Sequence, residues 1–205
     1  MKVLLGTRSS GKLRELLPIF EAAGVGVQDL AAAGVGQSPD EEAVEAFDSF
    51  EENALAKARY YHALTGRPSV ADDSGLEVEA LAGAPGVRSK RWSGRVDLAG
   101  QALDDANNAR LMAAMEGKEV TRARYVCAAA YCDAAREVVV RGEVSGRIVR
   151  EPRGRGGFGY DPYFFSDELG ATFGESSREA KERVSHRGRA FRSLLERMAS
   201  SVDNQ

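Results

Sequence analysis

Residues 2–20 read KVLLGTRSSGKLRELLPIF. The apolar run Lys2 to Leu5 stops at Gly6, a polar loop follows, and Leu13, Leu16, Leu17 and Phe20 then recur at helical spacing. This start reads as strand, loop, helix. Pro18 falls inside the helical stretch, where it removes a hydrogen bond, so a bend is expected there. The loop Gly6 to Lys12 also fits the first seven positions of a P-loop, G-x-x-x-x-G-K, but the eighth position is Leu13, where a P-loop needs a hydroxyl for magnesium. Two readings remain. Glycines, hydroxyls and a lysine at a helix N-terminus make a seat for phosphate, or the segment is a tight strand-to-helix turn with a solvated lysine.

Outward from this segment, Val25 to Leu30 reads as a second strand and the stretch to Asp40 as a loop. Ser49-x-x-Glu52 has the form of a capping box, followed by a helix that Gly66 and Pro68 stop. A short strand is expected at Ser69 to Ala71, then a polar turn Asp72-Asp73-Ser74-Gly75 and an apolar segment Leu76 to Leu81. A helix from about Leu103 to Met115 precedes a β-rich stretch, Arg124 to Tyr131 and Glu137 to Val149, with turn signals at Asp133 and at Gly142 to Gly146. After the loop EPRGRGGFGYDP, Ser177 caps a short helix near Glu179 to Arg183, and a last helix covers about Arg187 to Met198. The final few residues read as frayed. No repeat or linker breaks the chain, so residues 1–205 read as a single domain.

The 205 residues carry 28 Lys plus Arg against 31 Asp plus Glu, a net charge of -3, with 43% apolar and 29% charged residues. That composition excludes a collagenous or largely disordered chain, and a chain of this length buries roughly 70% of its extended surface without staples. No apolar run reaches membrane-spanning length and the start breaks its apolar stretch early, so neither a membrane span nor a signal peptide is expected. Cys127 and Cys132 complete neither a disulfide framework nor a zinc site, which points to a reducing cytoplasm. A mildly acidic chain is repelled by a polyanion unless its basic residues are segregated, so no nucleic-acid polymer is expected as partner.

The candidate chemistry lies in four further places. Adjacent carboxylates at Asp72 and Asp73 repel each other and need solvent or a cation, and magnesium takes such ligands together with substrate phosphates. Glu45, in the acidic stretch Asp40 to Glu52, is a third carboxylate, or part of a solvated loop. The glycine-rich Gly154 to Pro162 lets backbone approach a flat ligand on which Phe158 or Tyr160 could stack, or is a β-connection with core aromatics. Lys181 and Ser185-His186-Arg187-Gly188 gather cationic and donor groups at the start of the last helix. Phosphate seat, carboxylates, aromatic glycine loop and donor-rich helix start together are the parts of a nucleotide site.

Six blocks in order carry a resemblance: T-x-x-x-G-K at Thr7 to Lys12, E-x-x-x-x-F-x-x-N-A-x-x-K-A at Glu45 to Ala58, A-D-D-S-G-L at Ala71 to Leu76, G-A-P-G-V at Gly83 to Val87, G-G-F-G-Y-D-P at Gly156 to Pro162 and S-H-R-G at Ser185 to Gly188. The sequence resembles the inosine triphosphate pyrophosphatase family, also called Ham1-like. The resemblance implies an elongated, two-lobed α/β fold with a long central mixed β-sheet flanked by helices, an active-site cleft between the lobes, and a homodimer. It implies hydrolysis of ITP, dITP and XTP to the monophosphate and pyrophosphate with Mg2+. It implies Glu45 and Asp73 as metal ligands and Asp73 as proton acceptor. Thr7, Arg8, Ser9, Ser10, Gly11 and Lys12 would take the triphosphate, and Lys57, Ser74, Phe158, Gly159, Tyr160, Asp161, Lys181, His186 and Arg187 would also bind substrate. One departure stands out, since Ser9 occupies the place where the family's loop usually carries Asn, and a hydroxyl cannot reproduce an amide's paired donor and acceptor. Trp92 is read as a core or dimer residue. A Maf-like pyrophosphatase, a non-catalytic nucleotide-binding regulator and a degenerate P-loop ATPase are the alternatives. S-H-R-G with F-G-Y-D-P, the intact carboxylates, and Leu13 argue respectively against them.

Overall fold

Strand β1 (Lys2–Leu5) pairs in parallel with both β2 (Gly26–Asp29) and β3 (Ser69–Val78) in the computed structural model of the chain, which describes residues 1–200. The sheet continues through β4 (Arg122–Cys132) and β5 (Glu137–Ile148) to the short β6 (Phe164–Ser166) and β7 (Ala171–Thr172), in the order β2-β1-β3-β4-β5-β6-β7. Strands β5, β6 and β7 pair antiparallel, so the seven-stranded sheet is mixed and open. Helices α1 (Ser10–Ala22), α2 (Asp40–Val44), α3 (Phe50–Thr65), α4 (Gly100–Ala114), α5 (Arg178–Val184) and α6 (His186–Ser200) flank it, with short 3-10 turns at Glu79–Leu81 and Gly86–Arg91. This is the mixed α/β sheet that the resemblance implies. Helix α1 runs unbroken through Pro18. The expected terminal fraying falls on residues 201–205, outside the described residues.

Contacts divide the chain into two compact units. The first comprises Met1–Asp73, Cys127–Gly142 and the residues from His186 onward. Its core explains why KVLL is apolar at consecutive positions. Val3 and Leu5 face a cluster with Leu16, Ile19 and Phe20 of α1 and Phe191 and Leu194 of α6, whereas Leu4 faces Leu30 and Tyr61. A strand covered on both faces reads as a continuous run rather than an alternation. Phe20 and Phe191 meet edge to face with centroids 5.7 Å apart, and each fully buried ring contributes about 1.5–3 kcal/mol. The second unit, Ser74–Val126 and Glu143–Ser185, has its own core of Leu76, Val78, Leu111, Tyr125, Val144, Phe164 and Phe173.

Two expectations are corrected. The segment Asp72-Asp73-Ser74-Gly75 is no turn but the middle of β3, which runs continuously from Ser69 to Val78. Its carboxylates are buried, and neighbouring cations rather than solvent offset their repulsion. Likewise β5 passes straight through Gly142 to Gly146. Those glycines serve close approach, not turning. A Cβ on Gly142 would overlap the His186 carbonyl oxygen and lie 2.5 Å from the Ala190 nitrogen, and one on Gly146 would overlap the Phe165 carbonyl oxygen. Among the described residues no helix is long and apolar enough to cross a membrane, and both cysteines are free and buried.

Candidate active site

Within the first unit the loop after β1 is fixed before it offers anything to a ligand. The Gly6 N–H donates to the Val70 carbonyl at 2.7 Å, and a Cβ here would sit 2.5 Å from the Tyr61 ring, so glycine is required. The Thr7 hydroxyl accepts from the Ser9 N–H at 3.2 Å, and the Ser9 hydroxyl accepts from the Lys12 N–H at 3.3 Å. Ser9 is therefore the N-cap of α1. In that role serine and asparagine are equivalent, which gives the departure from the family pattern a structural reason. Arg8 points its guanidinium elsewhere, donating to both carboxylate oxygens of Glu41 (3.0 and 2.6 Å) and to the carbonyls of Val35 and Gly36 (3.1 and 2.6 Å).

Adjacent carboxylates on β3 are treated oppositely. Asp72 is 1% exposed, its Oδ2 lying 2.9 Å from Lys12 Nζ, 3.5 Å from Arg187 Nε and 3.8 Å from the Cys127 thiol. Burial alone would raise its pKa, but Lys12, Arg187 and Lys57 together hold it well below the usual carboxylate range. Asp73, one residue on, keeps a raised pKa because burial outweighs the pull of Lys57 and Lys12. Its Oδ2 accepts from Asn53 Nδ2 at 2.9 Å. The same Asn53 amide donates to the Phe47 carbonyl (3.1 Å) and accepts from the Phe47 N–H (3.0 Å), tying down the chain two residues beyond Glu45. Two carboxylates whose environments drive their pKa values apart form the usual arrangement of an acid–base site.

Lys57 joins these groups. Its ammonium lies 2.6 Å from Glu45 Oε1 and donates to the Asp72 carbonyl. Burial would lower its pKa, and Glu45, Asp72 and Asp73 more than reverse this. Arg187, buried at the first turn of α6, pairs with Glu15 of α1 as well as with Asp72, and these anions raise its pKa against the opposing effect of burial. His186 is 3% exposed, in contrast to an ordinary surface histidine. Among the described residues no three or more His, Cys, Asp or Glu converge as a ready-made metal cage. Glu45 and Asp73 beside one ammonium nevertheless suit magnesium, which is commonly held by one or two carboxylates with phosphates and water completing the shell.

In the second unit Ser74 follows Asp73 on β3, half-buried, and the loop of residues 156–161 is organised around Asp161. The Asp161 carboxylate accepts from Lys181 Nζ at 2.5 Å and from the Phe158 N–H at 2.8 Å. Gly157, at φ +75°, passes so close that a Cβ would overlap that carboxylate. Lys181 also lies 5.2 Å from the ring centres of Phe158 and Phe173. Tyr160 is a core residue, 4% exposed, whose hydroxyl donates to the Ser89 carbonyl. Of the two aromatic residues in the loop, Phe158 is the one that is partly exposed. The reading of the sequence missed Asn53, present in its quoted block without a role, and missed Asp104 and Asn108 of α4, which hold the Gly159 N–H (2.8 Å) and carbonyl (3.0 Å). Adjacent asparagines inside a helix, Asn107 and Asn108, are poor helix formers and were the available signal.

The family model of the Ham1 family matches residues 3–197. The chain belongs to the Ham1 family. This Ham1-family protein is 51% identical over 196 residues to the dITP/XTP pyrophosphatase of Mycolicibacterium paratuberculosis, covering 94% of this chain and 93% of that one. It is 47% identical over 198 residues to the dITP/XTP pyrophosphatase of Frankia alni, covering 95% of each. Among solved structures, the Ham1 protein of Staphylococcus aureus superposes with a TM-score of 0.83 at 30% identity, covering 98% of this chain and 100% of that one.

Proposed function

We propose that this protein hydrolyses purine nucleoside triphosphates carrying hypoxanthine or xanthine (ITP, dITP and XTP) to the monophosphate and pyrophosphate. The observation that carries the reading is the split pair on β3, where Asp72 is locked as an anion by Lys12 and Arg187 while the neighbouring Asp73 is left with a raised pKa. Near-full-length identity to proteins named dITP/XTP pyrophosphatases supports it.

In this reading water attacks the α-phosphorus, the bond to the bridging oxygen breaks, and pyrophosphate leaves with the negative charge. Asp73 takes the proton of the attacking water, since its raised pKa brings it closer to the working pH than an ordinary aspartate. Asn53 fixes the carboxylate it uses. Thr7, Arg8, Ser9, Ser10, Gly11 and Lys12 supply the capped helix N-terminus, where backbone N–H groups and the Lys12 ammonium favour phosphate oxygens. Lys57 exchanges part of its pairing with Glu45 for phosphate. Magnesium, if held by Glu45 and Asp73, supplies charge neutralisation and orientation of phosphate oxygens. Positioning and electrostatics of this kind supply most of the catalysis in phosphoryl chemistry.

Ser74, Phe158, Gly159, Tyr160, Asp161 and Lys181 are assigned to substrate, with Phe158 stacking on the base. His186 and Arg187 are assigned to the 6-oxo group. A donor aimed at an oxo group meets the amino donor of adenine and leaves both unpaired, a mismatch that discriminates by roughly 10⁴-fold or more. Burial and pairing with Glu15 keep the Arg187 guanidinium fixed rather than mobile. A homodimer belongs to the same reading and is checked by sedimentation. The experiment on the mechanism is Asp73→Asn in saturating magnesium. Loss of pyrophosphate release from ITP is expected, and near-normal turnover would remove Asp73 from its role.

A further inference from the structure

Residue Gly159 is held on both sides by one helix. Asp104 Oδ2 accepts from its N–H at 2.8 Å, and Asn108 Nδ2 donates to its carbonyl at 3.0 Å. Asp104 and Asn108 are four apart on α4, so they project from one face one turn apart. Gly159 itself has φ +63°, a left-handed conformation that glycine alone adopts at little cost, and it follows Gly157 at φ +75°. A segment this rich in unrestricted residues does not fix itself, and something outside it must hold its peptide planes.

The effect falls on Phe158. The N–H of Phe158 donates to Asp161 Oδ2, which fixes the peptide plane before it. The N–H of Gly159 belongs to the peptide plane after it, and Asp104 fixes that plane. Both backbone torsions of Phe158 are thereby set, one by the loop's own carboxylate and one by α4. Asn108 fixes the next plane, ahead of Tyr160 and Asp161. Neither side chain is placed here cheaply. Burial raises the pKa of Asp104 against the opposing pull of the Gly159 N–H, and the Asn108 amide oxygen is buried without a hydrogen-bond partner among the described residues. A buried amide oxygen left unpaired costs stability, so the position of Asn108 is not explained by packing alone.

We infer that Asp104 and Asn108 are positioning residues that set the pose of Phe158 and so determine how tightly the purine base is held. The inference rests on the assignment of Phe158 to the base. Asp104→Ala frees the second plane, and we expect the KM for ITP to rise about tenfold, the loss of one charge-assisted hydrogen bond, with kcat within about threefold of the parent. Asp104→Asn keeps an acceptor oxygen and restores most of the affinity. Asn108→Asp sets a carboxylate against the Gly159 carbonyl and raises KM as Asp104→Ala does. Inhibition by pyrophosphate, which lacks a base, stays unchanged in all three.

Hydrogen exchange over residues 156–161 provides a readout that needs no catalysis. Faster exchange in Asp104→Ala, reversed in Asp104→Asn, is expected. Unchanged exchange in Asp104→Ala overturns the clamp whatever the enzyme hydrolyses. Faster exchange with an unaltered KM for ITP, or a KM rise matched by equally weakened pyrophosphate inhibition, overturns the positioning role. If the parent protein releases no pyrophosphate from ITP, the functional reading fails, and with it the role assigned to the clamp, while exchange still shows whether the clamp itself exists.

Discussion

Replacing Arg187 by alanine tests the electrostatic core of the first unit without reference to any substrate. The guanidinium is 4% exposed and lies between Glu15, 16% exposed, and Asp72, 1% exposed. Removing one member of a buried ionic cluster leaves its partners uncompensated, which costs about 3–5 kcal/mol. Here Lys12 remains 2.9 Å from Asp72 and keeps that carboxylate paired, so the low end, about 3 kcal/mol, is the appropriate figure. For a chain of this size each kcal/mol shifts the melting midpoint by about 2–4 °C, giving an expected drop of about 6–12 °C in Arg187→Ala. Glu15→Ala removes the more exposed partner and costs less. The double variant loses less than the sum of the two, by about 0.5–3 kcal/mol, because the pair is counted once rather than twice. Circular dichroism melts of the four proteins in one buffer give all of these quantities. A melt of Arg187→Ala within about 2 °C of the parent, or strictly additive single effects, refutes the reasoning.

Asn53→Ala releases the Asp73 carboxylate and the Phe47 backbone together, so kcat on ITP is expected to fall about ten- to a hundredfold, measured as initial rates of pyrophosphate release. Gly142→Ala drives a methyl group into the His186 carbonyl and the start of α6 and is expected to cost about 1–3 kcal/mol or more. Gly36→Ala meets nothing within 4 Å and has no left-handed φ, so it is neutral or slightly stabilising, and urea midpoints separate the two. The hydrogen bond from Arg8 lowers the Glu41 pKa, so the folded state binds fewer protons than the unfolded chain between that depressed value and about 4.3. Stability from this partly exposed pair is present above that window and is lost as the pH falls through it. Arg8→Gln is expected to flatten the acid limb of a stability–pH curve by less than about 1 kcal/mol.

Strand β1, helix α1 and the capping box at Ser49 were legible in the sequence because local chemistry decides them: an apolar run stopped by glycine, a 3.6-residue period, a hydroxyl three residues ahead of a glutamate. Asp72-Asp73-Ser74-Gly75 was misread as a turn for the opposite reason. Its extended backbone belongs to a sheet between β1 and β4, and the charge of Asp72 is offset by Lys12, sixty positions away, and by Arg187, farther still along the chain. Gly142 was misread because a glycine that admits a helix backbone looks in sequence like a glycine that turns. The same division runs through the candidate site. Thr7 to Lys12, Glu45, Lys57, Asp73, Lys181 and Arg187 were singled out from residue type and block order. The hydrogen bonds of Asn53, Asp104 and Asn108 arise from tertiary contacts that no local pattern announces, so their roles appeared only with the fold.

The central claim is the reaction itself. Purified protein with magnesium, given ITP, XTP, GTP, ATP and UTP separately, is assayed for pyrophosphate and for inorganic phosphate. Pyrophosphate with the matching monophosphate from ITP and XTP, and little from ATP or UTP, is the expected result. Release of inorganic phosphate, or equal turnover of ATP and ITP, would contradict the account.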